Sequence, residues 1–154
     1  GCRLVGVPSL DVIAANAPPQ YRVVVPVLDA KRGQIFTARY ERTPAGALVN
    51  TAGPTVADPR EFIAEALQRA AGEPVAILGE GVDYHREALL SAGANRVVEL
   101  DRTLWPGRAA VVHHLGWEKA QRGEFDDPQT LLPIYIRLPE AEELWRKKRG
   151  LPVE

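Results

Sequence analysis

The segment "YRVVVPVLDAKRGQIFTARYE", residues 21–41, constrains the fold more than any other part of this chain. Residues 23–28 are almost continuously apolar, the signature of a strand covered on both faces. Residues 35–40 alternate instead. Ile35, Thr37 and Arg39 fall on one face and Phe36, Ala38 and Tyr40 on the other, as in an antiparallel strand. Asp29, Lys31, Arg32 and Gly33 form a polar tip between the two runs. The pattern predicts a hairpin. Pro26 has no N–H to give a ladder, so it argues for an edge or a bulge in the first strand.

The rest of the chain alternates in kind. Residues 4–7 read as a short strand. The helix that follows carries Leu10, Ile13, Ala14 and Ala17 on one face and stops at Pro18 and Pro19. A turn then leads to a weaker third strand near residues 48–50. Residues 58–72 carry the clearest helix signals: Asp58 to cap, Pro59 for the first turn, Glu61 for a capping box and Gly72 to end it. Its apolar stripe is Phe62, Ile63, Ala66, Leu67 and Ala70. A buried strand at 74–78 runs into Gly79 and Gly81, a helix spans 84–92, and a strand lies within 95–100.

A helix over 109–122 places Ala109, Val112, Gly116 and Ala120 on one face. An extended run covers 131–137, and a last helix has acids in its first turn and bases in its last, the sense the helix dipole favours. A meander followed by alternating strands and helices implies an α/β fold, a mixed sheet with flanking helices. Short connections place residues 1–154 in a single domain.

Composition excludes several classes. The 19 Lys and Arg balance 20 Asp and Glu to a net charge of −1, so no global field draws the chain to nucleic acid or a membrane. One cysteine, Cys2, excludes an internal disulfide and argues against a zinc cluster; a reducing, cytoplasmic setting is expected. No apolar run has the length of a membrane span. The sequence contains no methionine, and we expect it to be a piece of a longer protein.

Candidate residues are few. At the hairpin tip, Asp29 and Gly33 either shape the turn alone, or Asp29, Lys31 and Arg32 present a fixed charge pattern to a partner or phosphate. Gly79 and Gly81 stand at a strand-to-helix junction of the kind that admits phosphate to backbone N–H groups. The run lacks a G-x-G-x-x-G pattern and a Walker lysine, and Glu80 would repel an anion. His113 and His114 are adjacent in a helix and cannot form an i, i+4 metal pair; one buried and one exposed histidine is expected. Cys2 is expected to be a buried small residue. Ser9 and Ser91 lack the context of a hydrolase nucleophile. Residues 146–149 are all basic, beside Leu144 and Trp145; the closing helix either packs on its own domain or docks a partner or RNA backbone. The residues alone thus indicate no catalytic group, no metal site and no cofactor.

Several of these stretches also resemble a known family. "VGVPSLDVIAANA", "VVPVLDAKRGQIFTARYE", the glycines of "ILGEG" and the ending "LLPIYIRLPEAEELW" are similar, in that order, to the second lobe of the TsaB (YeaZ) proteins. The family's hairpin usually reads Asp-Ala-Arg-(Arg/Met)-Gly-Glu-Val-Tyr, and here it is Asp29-Ala30-Lys31-Arg32-Gly33-Gln34-Ile35-Phe36. Its Pro-x-Tyr-Leu-Arg ending is here Pro133-Ile134-Tyr135-Ile136-Arg137. The family's first-lobe Asp-Thr-Ser strand and Gly-Pro-Gly-Ser-Phe-Thr-Gly loop are absent from the sequence.

The resemblance implies the C-terminal lobe of an actin/Hsp70-like, ribonuclease-H-type (ASKHA) fold without its N-terminal lobe. It also implies a non-catalytic scaffold role in making N6-threonylcarbamoyladenosine beside the tRNA anticodon. Chemistry would belong to a TsaD-like paralogue, with a TsaE-like ATPase binding the assembled pair and tRNA met indirectly; a homodimer is compatible with this. Asp29, Lys31, Arg32, Gly33, Tyr135, Arg137 and Trp145 then become structural or partner-facing. The alternatives are an ATP-binding or peptidase-like enzyme of the same superfamily, and an RNA-contacting module using the basic final helix.

Overall fold

The computed structural model describes residues 2–138 and 140–152. Five strands form one sheet: β1 (Val23–Asp29), β2 (Ile35–Arg42), β3 (Leu48–Ala57), β4 (Val75–Leu78) and β5 (Val97–Glu99). Their order across the sheet is β3-β2-β1-β4-β5. The pairs β1–β2 and β2–β3 are antiparallel, while β1–β4 and β4–β5 are parallel. The sheet is therefore mixed, and β1 lies at its centre.

That position explains the apolar run. Residues 23–27 are all buried, as is every residue of β4, because both faces of these strands are covered. Neighbouring residues of β2 show what covers them. Tyr40 reaches α1 (Ser9–Ala14), donating its hydroxyl to Asp11 Oδ1 at 2.5 Å, whereas Arg39 points the other way, 3.8 Å from Glu65 on α2 (Pro59–Arg69). Successive side chains of a strand face opposite sides, so α1 and α2 cover opposite faces. Helix α3 (Gly81–Ser91) packs beside α2 and over β1.

Helix α2 starts at its predicted cap, although among the described residues no hydrogen bond from the Glu61 side chain closes the expected capping box. The Asp58 carboxylate accepts from the N–H groups of Arg60 and Glu61 at 2.9 and 3.1 Å, and Ile63, Ala66 and Leu67 turn into the core. Full burial of Ile63 alone stabilises by roughly 1.5–3 kcal/mol.

Several expectations are corrected. Pro26 is neither at an edge nor in a bulge of its own; it sits in the central strand. Ala30 N–H donates to Gln34 O and Arg42 N–H to Arg22 O, so even-numbered residues of β1 aim their backbone groups at β2. Pro26 is one of these and has nothing to donate. The β1–β2 register accordingly skips Val25 and Pro26, resuming at Val27↔Thr37, and the buried Thr37 hydroxyl donates to Pro26 O at 2.8 Å.

Residues 4–7 form only an isolated bridge, Leu4↔Asp126, and residues 131–137 form no strand, because neither run finds a sheet edge to join. Helix α3 begins at Gly81, one turn earlier than its apolar pattern indicates. Helix α4 (Ala109–Gln121) buries none of its residues. His113 and His114 are both exposed, as is Cys2.

Candidate functional site

The hairpin tip is the site the structure builds. Three consecutive residues turn it, all left-handed: Lys31 at φ 61°, Arg32 at 55° and Gly33 at 75°. Glycine adopts this conformation freely, but each non-glycine residue in it costs roughly 1–2 kcal/mol. Asparagine or glycine would be the low-cost choice at such positions. A lysine and an arginine stand there instead, and their side chains show what offsets the strain.

Asp29 closes the turn. Its Oδ1 accepts from Lys31 N–H at 2.9 Å and its Oδ2 from Lys31 Nζ at 2.6 Å. His85 Nε2 lies 3.0 Å from Oδ1, with both side chains about nine-tenths buried. The Asp29 N–H donates to Glu80 Oε1 at 3.0 Å, which ties the end of β1 to the start of α3. Lys31, and after it His85, hold the Asp29 carboxyl at about 2, well below its ordinary 3.8. The Lys31 ammonium also sits 5.2 Å over the Tyr84 ring.

A second set of contacts arrives from the far end of the chain. Arg137 donates to Ala30 O at 2.6 Å and to Gln34 Oε1, and its guanidinium lies 5.9 Å from the Phe36 ring centre. Arg32 donates to Glu143 Oε2 at 2.8 Å, on α5 (Glu140–Lys148), and that contact lowers the Glu143 pKa. The tip is thus held by α3 on one side and by Arg137 and Glu143 on the other.

Of the residues singled out from the sequence, Asp29, Lys31, Arg32, Gly33 and Arg137 come together here. Tyr135 is largely exposed and Trp145 half-exposed, with the Arg149 guanidinium 4.4 Å over its ring. Among the described residues neither shares a hydrogen bond with the tip. His85, Glu80 and Glu143 belong to the site and escape sequence reasoning. The parallel pairing Pro26↔Leu78 aligns the ends of β1 and β4 and so brings the start of α3 beside Asp29. The strand-to-helix junction at Gly79 was the available signal.

That junction has no cradle for a phosphate. A Cβ at Gly79 would meet Val27 O at 2.3 Å and one at Gly81 would meet Leu28 C at 2.7 Å, so both glycines allow β4 and α3 to lie against the β1 backbone. The Glu80 carboxylate beside them accepts from Asp29 N–H and adds negative charge next to the helix start.

The chemistry open to the tip is correspondingly narrow. An Asp–His contact orients an imidazole, as general-base catalysis requires. Among the described residues, however, no serine, threonine or cysteine is hydrogen-bonded to His85. A carboxylate held near 2 by two partners is a weak base at neutral pH. Nor do three His, Cys, Asp or Glu side chains converge as a metal would need, among the described residues.

A cleft of about 660 Å³ lies elsewhere, lined in part by Val7, Asp11, Tyr40, Lys119, Asp126 and Ile134. Asp126 accepts from Gly6 N–H at 2.6 Å and Lys119 donates to Gly6 O at 2.8 Å, which fixes Gly6 along its wall.

No protein-family model matches the chain. The chain is 29% identical over 141 residues to the tRNA threonylcarbamoyladenosine biosynthesis protein TsaB of Bacillus subtilis (strain 168), a match covering 90% of this chain and 58% of that protein. Two solved chains share its fold. One, described as an uncharacterized protein with similarity to peptidase YEAZ from Pseudomonas aeruginosa, superposes with a TM-score of 0.63 at 22% identity over 88% of this chain and 59% of its own. The other, YeaZ from Pseudomonas aeruginosa, gives 0.61 at 21% over 84% and 58%. The five-stranded mixed sheet is that of the actin/Hsp70-like fold. In sequence the chain is therefore similar to TsaB of Bacillus subtilis, and in fold to YeaZ of Pseudomonas aeruginosa, and it spans a little under three-fifths of the length of the proteins it matches.

Proposed function

We propose that this chain acts in tRNA threonylcarbamoyladenosine biosynthesis as the C-terminal lobe of a non-catalytic scaffold subunit working in the cytoplasm. In this reading a TsaD-like paralogue performs the chemistry and a TsaE-like ATPase joins it, both through the full-length protein, while tRNA is met indirectly. The likeness to TsaB supports the pathway. The observation that carries the scaffold role is the state of Asp29. Its two oxygens are committed to Lys31 and His85, and its pKa lies far from that of a working acid or base.

The test is to quantify N6-threonylcarbamoyladenosine in total tRNA from cells lacking the gene. The same cells are then given the full-length gene, either unchanged or carrying Asp29→Asn. Loss of the nucleoside without the gene, and its return with either version, is expected. An unchanged level without the gene overturns the pathway. A folded, assembled Asp29→Asn protein that restores none overturns the scaffold role.

One observation favours a second reading, a hydrolase. The Asp29–His85 contact at 3.0 Å has the geometry of an oriented base. Peptide hydrolysis abolished by His85→Ala in a folded protein would establish it.

A further inference from the structure

The cleft of about 660 Å³ plays no part in the function proposed above, yet its volume is that of a site for a small organic molecule. Its apolar lining comes from both ends of the chain: Val7 and Pro8 from the start, Leu132, Ile134 and Ile136 from the finish. Leu132 is 74% and Ile134 61% exposed, so much of this apolar surface is left open to an occupant.

Charge in the cleft is unevenly matched. Lys119 donates to Gly6 O and Asp126 accepts from Gly6 N–H, which sets an ammonium and a carboxylate around one residue, where they offset each other. Asp11 is left over. Its Oδ1 takes the proton of the buried Tyr40 hydroxyl at 2.5 Å. Its Oδ2 accepts no hydrogen bond among the described residues, and no cation of those residues pairs with it. A place in the first turn of α1 favours an acid but brings that oxygen no donor. A part-buried carboxylate beside apolar surface is best satisfied by a cation with an N–H to give.

We propose that the cleft binds a small aliphatic amine, whose ammonium donates to Asp11 and whose hydrocarbon body lies against Val7, Leu132 and Ile134. Tyr40 positions the carboxylate, since its proton fixes one oxygen and leaves the other for the ligand. Ser9 and Asn50, both exposed, add neutral polar groups at the rim. This inference does not depend on the function proposed above.

Chemical-shift titration of the isotope-labelled 154-residue chain at neutral pH tests it. Hexylammonium is the probe. Hexanol, hexanoate and Nα-acetyl-lysine-N-methylamide are compared with it at matched ionic strength. Saturating shifts are expected at the amides of Val7, Asp11, Tyr40 and Ile134. Hexylammonium should bind roughly tenfold more tightly than hexanol, the gain of one charge-assisted hydrogen bond. Asp11→Asn still accepts from Tyr40 and should bring the amine down to the affinity of the alcohol. Ile134→Ser, at an exposed position, should weaken amine and alcohol alike. Amide spectra unchanged away from the cleft confirm that both variants keep the fold. No saturable shift with hexylammonium overturns the proposal. So does hexanol or hexanoate binding as tightly as the amine, or a preference for the amine that survives Asp11→Asn. An affinity unmoved by Ile134→Ser overturns the placing of the hydrocarbon body. Tighter binding of the lysine derivative would assign the cleft to a protein side chain and overturn the free amine.

Discussion

Asp29 organises more of its surroundings than any other residue at the tip. It corrects the backbone at Lys31, pairs with that side chain and meets His85. Its pKa is depressed to about 2, so its contribution to stability is present above the ordinary carboxylate value and is lost as pH falls from about 4 towards 2. Asp29→Asn should therefore lower the denaturation midpoint at pH 7, and the gap between variant and original chain should close across that acidic window. A gap that is flat from pH 7 to pH 2 would show that the carboxylate's charge is irrelevant to the tip. The polar tip could be read from residues 29–33 alone. His85 could not, because it lies 56 residues away and only the parallel β1–β4 pairing brings it near.

Individual elements differ in how far local sequence determines them. Helix α2 carries its own start, stripe and stop, and it forms where those signals lie. Strand β1 reads correctly as a strand, yet Pro26 points local reasoning to an edge while the flanking valines fit only a centre covered on both faces. Residues 4–7 and 131–137 have strand-like composition, but a strand needs a neighbour, and no local signal reports whether one is available.

Two side chains repair what the strands lack, and each can be tested. Thr37→Val takes away the buried donor to Pro26 O and should cost about 1 kcal/mol, with Thr37→Ser costing less; urea titrations with an unchanged m-value measure it. Tyr40 joins β2 to α1 through Asp11. Burial first, and then that hydrogen bond, raise the phenol's pKa above its ordinary 10.0. Its contribution is complete below pH 10 and is lost as pH climbs beyond that value. Tyr40→Phe should therefore be less stable at neutral pH and lose stability less steeply above pH 10, as thermal melts across that range would record.

The whole molecule is closed by the return of Arg137 and Glu143 to a hairpin about a hundred positions earlier in the chain. The class, a mixed sheet with flanking helices, was legible from the alternation of runs. The strand order was not, since β1 and β4 are separated by two strands and a helix, and β4 and β5 by another helix. Arg137 is the chief fastening of this return. Arg137→Ala should speed amide hydrogen exchange across α5 while leaving β1 and β4 as protected as before. Equal acceleration in the sheet would mean that the fastening supports the core as well.

That fastening also carries a consequence for how the molecule is made. Arg137 follows Ala30 by 107 residues, so at ribosomal speeds of about 5–20 residues per second the tip is complete some 5–20 s after its own residues are joined. For that interval the nascent hairpin displays the Ala30 carbonyl and the Gln34 side chain without their guanidinium. A chaperone or an assembly partner that recognises the open tip would meet it only on chains still under synthesis.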